Sequence, residues 1–202
     1  MKEELAKRFG AHRVQDVPTL EGDIPLIMLD LELRSPVSVL MTNGLNEYRM
    51  PVPEKMAGRE HNELFFCLPS YWEWEDMANP RTNWVFQWIQ RLAKYVVEKE
   101  TWFGHGHTMP CGANMESLSE TMTQNHFFLS DPMLLEMELT PIKVDGREVH
   151  FLGIIPIFSD EMDYKQGKGT FKFMQKLRGK GVTEQLDDFR ATVLKRSWKL
   201  RR

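Results

Sequence analysis

The sequence has only two cysteines, Cys67 and Cys111, among its 202 residues. Two cysteines in a chain of this length do not form a disulfide framework, so a reducing, cytoplasmic setting is favoured. No apolar run approaches the roughly 20 residues that a membrane-spanning helix needs. The N-terminus, MKEELAKRFGAHR, lacks the apolar centre of a signal peptide. These absences predict a cytoplasmic protein that does not enter a membrane.

An excess of basic charge is also missing. The chain carries 26 Lys and Arg residues against 29 Asp and Glu residues, for a formal net charge of −3. This balance offers no electrostatic footprint for nucleic acid or an anionic membrane, so neither is expected as a partner. Residues 195–202 are locally basic, and a solvated tail is the favoured interpretation, because a nucleic-acid surface would involve more of the fold.

The common catalytic motifs are missing as well. The sequence contains no GxxxxGK[S/T], no GxGxxG after a predicted strand, no HExxH and no GxSxG. Its carboxylates are scattered, and none pairs with another in a way that suggests a general acid and base. No enzyme class is therefore indicated by a motif.

What the chain does have is a globular composition, with 42% hydrophobic, 11% aromatic and 27% charged residues. A chain of this length can bury about 70% of its unfolded surface, so it needs no disulfide or metal to fold. No internal repeat, low-complexity stretch or break in composition marks a linker. One domain is predicted over residues 1–202.

Hydrophobic periodicity predicts an α+β fold. A broad apolar stripe indicates a helix that is capped by Asn83 and runs to Glu98. A short helix is predicted at residues 2–9, and further helical segments begin at Ser159 and Phe171. Strands are predicted at residues 26–33, 37–42, 63–68, 126–129, 134–139 and 149–158. The 63–68 strand is apolar on both sides and should lie at the centre of its sheet.

The stretch richest in reactive side chains is Glu100–Gly112, ETWFGHGHTMPCG, which directly follows the main helix. His105, His107 and Cys111 have the residue types of a zinc site, and His61 could add a fourth ligand. Their spacing matches no established zinc motif. Hydrogen-bonded loop histidines are therefore favoured, and no metal or other cofactor is predicted.

Two other interpretations of aromatic and thiol groups stay open. Cys111 could act as a nucleophile with His105 or His107, although such pairs generally come from separate elements. A second loop, residues 69–80, contains Trp72 and Trp74. They could form an exposed contact patch, although aromatics that fix a long loop to the core are commoner.

Six segments follow one another in a recognisable order. They are LIMLDLELRSP (26–36), VLMTNGLNEYRMPVPE (39–54), ELFFCLPSYWE (63–73), WVFQWIQRLAKYVVEKETWFGHGHT (84–108), HFFLSDP (126–132) and VHFLGIIPIFSDEMDYKQGKG (149–169). Each is weakly specific alone, but the ordered set resembles the Suppressor of fused domain family from about residue 24 to residue 190.

This resemblance implies an α+β domain with a mixed β-sheet flanked by helices, and a binding protein that is not an enzyme. Animal members hold an extended peptide of a transcription factor, whereas many compact bacterial members resemble immunity proteins that neutralise a toxin. The resemblance places Tyr95 and the loop Trp102–His107 in part of the animal peptide-binding cleft. His107 matches a histidine there, and Gly106 stands in place of an acidic residue.

We therefore expect a non-catalytic protein-binding module, most simply an immunity-type protein that occludes a partner toxin. The candidate contact residues are Trp72, Trp74, Tyr95, Trp102, His105 and His107. Two alternatives remain open: sequestration of a transcription regulator, and a metal-dependent hydrolase that uses His105, His107 and Cys111. The sequence does not indicate an oligomeric state.

Overall fold

The computed structural model describes residues 1–194 of the chain. The predicted basic tail, residues 195–202, lies outside the described residues. The helices are α1 (Lys2–Phe9), α2 (Trp84–Glu98), α3 (Ser159–Lys168) and α4 (Thr170–Gly179). The strands are β1 (Val14–Val17), β2 (Leu26–Leu31), β3 (Val37–Thr42), β4 (Asn62–Pro69), β5 (Thr108–Pro110), β6 (His126–Ser130), β7 (Ile142–Val144) and β8 (Arg147–Ile157).

A mixed sheet forms the centre of this single α+β domain. Its strands follow the order β1-β2-β3-β4-β8-β6-β5, and β7 pairs with β8 outside this path. Strands β4 and β8 run parallel, with Asn62 opposite His150 and Phe65 opposite Gly153. The other pairs are antiparallel. Every residue of β4 is buried, which confirms the central position predicted from its two apolar sides.

Alternation along β4 divides the core between the two faces of the sheet. Leu64 and Phe66 pack on the face that α2 covers. Phe65 and Cys67 point to the opposite face, where α1 contributes Leu5. A third cluster, which includes Phe128, Ile155, Phe173, Met174 and Leu177, fastens α4 beside β6 and β8. Both cysteines are buried and free.

Helix α2 confirms the helix that the sequence predicts from Asn83 to Glu98. The side chain of Asn83 forms no capping bond within the described part of the chain. Its amide instead donates to the carbonyl of Met77, at 3.1 Å. Asn83 therefore occupies the predicted N-cap position, but its side chain stabilises the preceding loop and does not cap the helix.

The strand predicted at residues 134–139 is also wrong. These residues form turns, in which the Leu139 N–H donates to the Leu135 carbonyl at 2.8 Å. Both leucines are buried. The N–H groups of Leu134 and Leu135 donate to the carboxylate of Glu184, each at 2.9 Å. A distant carboxylate therefore takes the backbone bonds that a strand would have used.

The sequence did not predict three short strands, β1, β5 and β7, because none of them has the run of three apolar residues that marks the predicted strand at residues 126–129. Helix α3 continues through Gly167 and ends at Lys168, before Gly169, which has a φ of 84°. Within residues 1–194, no helix combines the length and apolarity needed to cross a bilayer.

Candidate partner-binding site

The loop after α2 is bonded through its main chain to the outer part of the sheet. The Gly106 N–H donates to the carbonyl of Leu129 at 2.8 Å, and the Leu129 N–H donates to the carbonyl of His107 at 2.8 Å. A further bond, of 3.1 Å, joins the His107 N–H to the carbonyl of Gly104. These bonds continue into the β5–β6 pair, so the loop presents its side chains from a preformed backbone.

Trp102 folds over its own loop and meets His107. Their ring centroids lie 4.2 Å apart, and the ring planes meet at 61°. A Cβ atom on Gly104 would lie 2.6 Å from the indole, so only glycine allows this fold. Burial lowers the pKa of His107, and the nearby Lys165 lowers it further, while a backbone hydrogen bond with Trp102 acts in the opposite direction. The imidazole is therefore mainly uncharged at neutral pH.

Gly106 fits closely against α4. Its φ is +90°, a conformation that side chains other than glycine rarely adopt. An added Cβ atom would lie 2.8 Å from Oγ1 of Thr170. The resemblance places an acidic residue of the animal proteins at this position. In this chain, α4 leaves no room for such a side chain.

His105 is exposed and connects the loop to a series of polar groups. Its Nδ1 atom accepts from the backbone N–H of Asp131 at 3.1 Å. The Asp131 carboxylate pairs with Arg59, which also donates to Nδ1 of His150 at 2.9 Å. Nε2 of His150 donates to the carbonyl of Gly58 at 3.0 Å. Burial, followed by Arg59, lowers the pKa of His150, which matches the neutral ring that this geometry requires.

Tyr95 lies beside the same loop, because its ring stacks on Phe103 with centroids 6.1 Å apart. Trp72 does not. It is only 5% exposed, packs on Trp84, and donates from Nε1 to the carbonyl of Thr82 at 3.2 Å. Trp74 is half-buried against the same core. The loop of these two tryptophans joins the N-terminus of α2, about 22 Å along the helix from the Trp102 loop.

The structure thus places Tyr95, Trp102, His105 and His107 on or beside one loop, with direct contact between the Trp102 and His107 rings, and places Trp72 and Trp74 elsewhere. Trp72 therefore agrees with the interpretation that aromatic side chains fix the second loop, residues 69–80, to the core. We call the first four residues the aromatic–histidine surface. Its role in partner binding stays a prediction.

The thiol of Cys111 has the environment of a core residue. It is 2% exposed, and burial raises its pKa to about 12. A nucleophile needs the thiolate form, which such a pKa suppresses at neutral pH. Cys111 and His107 flank β5, and residues four apart on an extended strand are separated by about 13 Å. Within residues 1–194, no group of three or more His, Cys, Asp or Glu side chains could hold a metal ion.

Strand β5 gives the surface an open edge, which the sequence did not reveal. The carbonyl of His107 and the N–H of Cys111 form hydrogen bonds with the chain segment that leads into and forms β6. Because inward and outward positions alternate in an antiparallel pair, the backbone groups of Thr108 face away from β6. Pro110 has no N–H to offer, which keeps the open edge short.

Comparison with known proteins gives one family. A family model described as Suppressor of fused protein (SUFU) matches residues 22–190. Comparison with curated proteins gives no match.

Several solved structures share the fold. A structure of the Sufu–Fu complex is 18% identical, with a TM-score of 0.65 over 94% of this chain and 88% of that chain. A SUFU homologue from Neisseria gonorrhoeae FA 1090 is 16% identical, with a TM-score of 0.67 over 96% of this chain and 95% of that chain. Drosophila Suppressor of Fused is 19% identical, with a TM-score of 0.61 over 86% of this chain and 44% of that chain.

These structures show the common fold, and the family model matches most of the sequence. The chain therefore belongs to the Suppressor of fused family.

Proposed function

We propose that this chain is a cytoplasmic, non-catalytic protein-binding module of bacterial type, and that it neutralises a partner toxin by occlusion. Membership of the Suppressor of fused family supports a role in protein interaction. One family structure is a complex of Sufu with Fu. The observation that carries the proposal is the aromatic–histidine surface, whose loop is bonded through its main chain to β6.

This surface suits protein recognition more than catalysis. Trp and Tyr are frequent energetic centres of interfaces, because one large side chain supplies both apolar area and a polar group. The loop backbone is already ordered, so binding does not have to order it again. A stable complex needs about 1,000 Å² or more of total buried surface, which extends beyond these four side chains.

The open edge of β5 supports a second contact of a different kind. An extended segment of the partner can pair with the backbone of Thr108, as peptides do when they add a strand to a sheet. Pro110 limits this pairing to a short segment. Side-chain contacts at the loop would then supply most of the selectivity.

The deciding experiment is capture of partners from the native organism with the tagged protein, followed by identification by mass spectrometry. The proposal expects a toxin that the protein inhibits at one-to-one stoichiometry. Capture of a transcription regulator, with no effect on any toxin, would replace neutralisation by sequestration.

Metal analysis of the same purified protein tests the hydrolase alternative. Stoichiometric zinc that disappears in both His105→Ala and His107→Ala would contradict a purely binding role. Protein without stoichiometric zinc, together with a captured partner, supports the proposal.

A further inference from the structure

The distribution of charge around α3 and α4 differs from that of the rest of the chain. Residues 164–183 contain six basic side chains and no acidic one, although the chain as a whole has a net charge of −3. The six are Lys165, Lys168, Lys172, Lys176, Arg178 and Lys180. We call the surface formed by these residues the basic hairpin.

The charges of the basic hairpin face solvent without acidic partners. Five of the six side chains are exposed, and Lys165 is half-buried. The ion pairs of residues 1–194 include none of the six. Lys176 lies 6.0 Å from the ring centroid of Tyr164, a contact that leaves its charge uncompensated.

Helix dipoles explain only part of this pattern. Lys165 and Lys168 lie in the last turn of α3, and Lys176 and Arg178 lie in the last turn of α4, where cations are favourable. Lys172 lies in the first turn of α4, where the dipole disfavours a cation and no acidic residue compensates it. Stabilisation of the two helices by their dipoles therefore does not account for all of the positive charge of the basic hairpin.

The basic hairpin adjoins the aromatic–histidine surface. Thr170, the first residue of α4, lies against Gly106 of the loop. Lys165 is close enough to His107 to lower the pKa of its imidazole. Phe171 lies between Thr170 and Lys172 in the sequence of α4, and its side chain is 75% exposed. The loop thus adjoins both helices of the basic hairpin, at Lys165 of α3 and at Thr170 of α4.

We propose that the basic hairpin binds a carboxylate-rich segment of the protein partner, next to the aromatic side chains of the loop. This inference rests on the proposed function, because it specifies the charge of the partner that the same surface receives. Exposed cations that form no ion pair among the described residues attract such a segment over about a Debye length and accelerate its association. A protein is favoured over nucleic acid because the basic charge is confined to one hairpin of an acidic chain.

The first test does not need the natural partner. The probe is a fluorescein-labelled hexaglutamate peptide, titrated at low salt into the wild-type protein and the variant Lys172→Glu/Lys176→Glu. The matched control is Lys55→Glu/Lys143→Glu, which changes the net charge equally at exposed lysines outside the hairpin. We expect the hairpin variant to lose about tenfold in affinity and the control to lose little. NMR shifts should map the peptide to α4 and to the loop at His107.

Equal losses in both variants, or no peptide binding at low salt, would overturn the inference. Tighter binding of a single-stranded oligonucleotide or of phosphatidylserine vesicles than of the peptide would also overturn it, because the surface would then suit another class of ligand. Thermal unfolding of both variants shows whether the substitutions preserve the fold.

The second test uses the captured partner. A tenfold slower association of Lys172→Glu/Lys176→Glu, with an unchanged control, supports the inference. Association that is equal for wild type and hairpin variant overturns it while the proposed function stands. A capture experiment without a partner contradicts the proposed function, and the peptide titration then decides about the hairpin alone.

Discussion

The indole of Trp102 meets the imidazole of His107 in an edge-on contact, with ring centroids 4.2 Å apart. Burial is the main reason why the pKa of His107 lies below its usual 6.5. Trp102→Ala should therefore raise this pKa toward 6.5, because the ring gains solvent while its backbone stays in place. Histidine signals in an NMR pH titration measure the change. Trp74→Ala, in the other loop, should leave the pKa of His107 unaltered. An unchanged value in Trp102→Ala would show that the indole does not control it.

Trp102 is also expected to dominate partner binding. Truncation of a central aromatic contact commonly costs about 2 kcal/mol or more of binding free energy. Trp102→Ala should show this loss in calorimetry with the captured partner. The control is Leu20→Ala, which removes an apolar side chain that is 80% exposed on another surface. Equal affinities for wild type and Trp102→Ala, with intact folds, would place the interface elsewhere.

Gly106 and Gly112 allow backbone strain to be separated from packing. Both have positive φ, +90° and +77°, but no described atom would lie within 4 Å of a Cβ atom on Gly112. Gly112→Ala should lower the free energy of unfolding by about 1 kcal/mol, the usual cost of this conformation. Gly106→Ala should lower it further, because Thr170 must also move. Denaturant unfolding of the two variants measures the difference, and equal losses would mean that α4 yields without cost.

Glu63 should make stability depend on pH. Its carboxyl group is fully buried and accepts from the Gly44 N–H at 2.9 Å and from Nδ2 of Asn46 at 2.5 Å. Burial is the largest cause that raises its pKa from 4.5 to about 7, against the opposing effect of these donors. Because the folded state then holds the proton more tightly than the unfolded chain, the contribution is complete below pH 4.5. It is lost as the pH rises through about 7.

The size of this loss of unfolding free energy follows from the pKa shift of Glu63 and is on the order of 3 kcal/mol for a buried group. Glu63→Gln cannot titrate, so the difference in unfolding free energy between wild type and variant should change with pH over this range. Urea unfolding at several pH values measures it. A difference that is constant with pH would show that Glu63 keeps one protonation state throughout.

Removal of one partner from the ion pair of Glu161 and Arg190 should cost far more stability than removal of one partner from a surface pair. Two bonds of 2.8 Å join the guanidinium to both carboxylate oxygens, and the side chains are 0% and 7% exposed. Arg190→Met leaves the carboxylate buried without its cation, which typically costs about 3–5 kcal/mol. Asp16→Asn, at the exposed pair with Lys2, should have little effect because solvent screens it. Thermal and urea unfolding compare the two, and similar losses would contradict this account.

Elements with a long, uninterrupted pattern were predictable from the sequence. The fifteen residues of α2 and the fully apolar β4 were predictable, because burial of one stripe or of two faces leaves a clear period. The leucines at residues 134–139 follow an alternating pattern but form turns. Their backbone bonds go to Glu184, a partner almost 50 residues away, and no local pattern encodes it.

The candidate site shows the same division. Local residue types identified the Trp102–His107 loop, because its glycines, histidines and aromatics stand out in any window. The charge of residues 164–183 was equally readable, but its connection with the loop was not. Only the fold places Thr170 against Gly106 and Lys165 near His107, since these contacts join residues about 60 positions apart.

The sequence by itself determined the α+β class, the central strand, the main helix and the family resemblance, because each depends on residues close together in the chain or on their order. The tertiary structure decided which aromatics face solvent. Trp72 and Trp102 occupy similar aromatic loops, yet the first is enclosed by Trp84 and the second lies half-exposed over His107. Exposure depends on what packs against a side chain from distant segments, and that information exists only once the chain has folded.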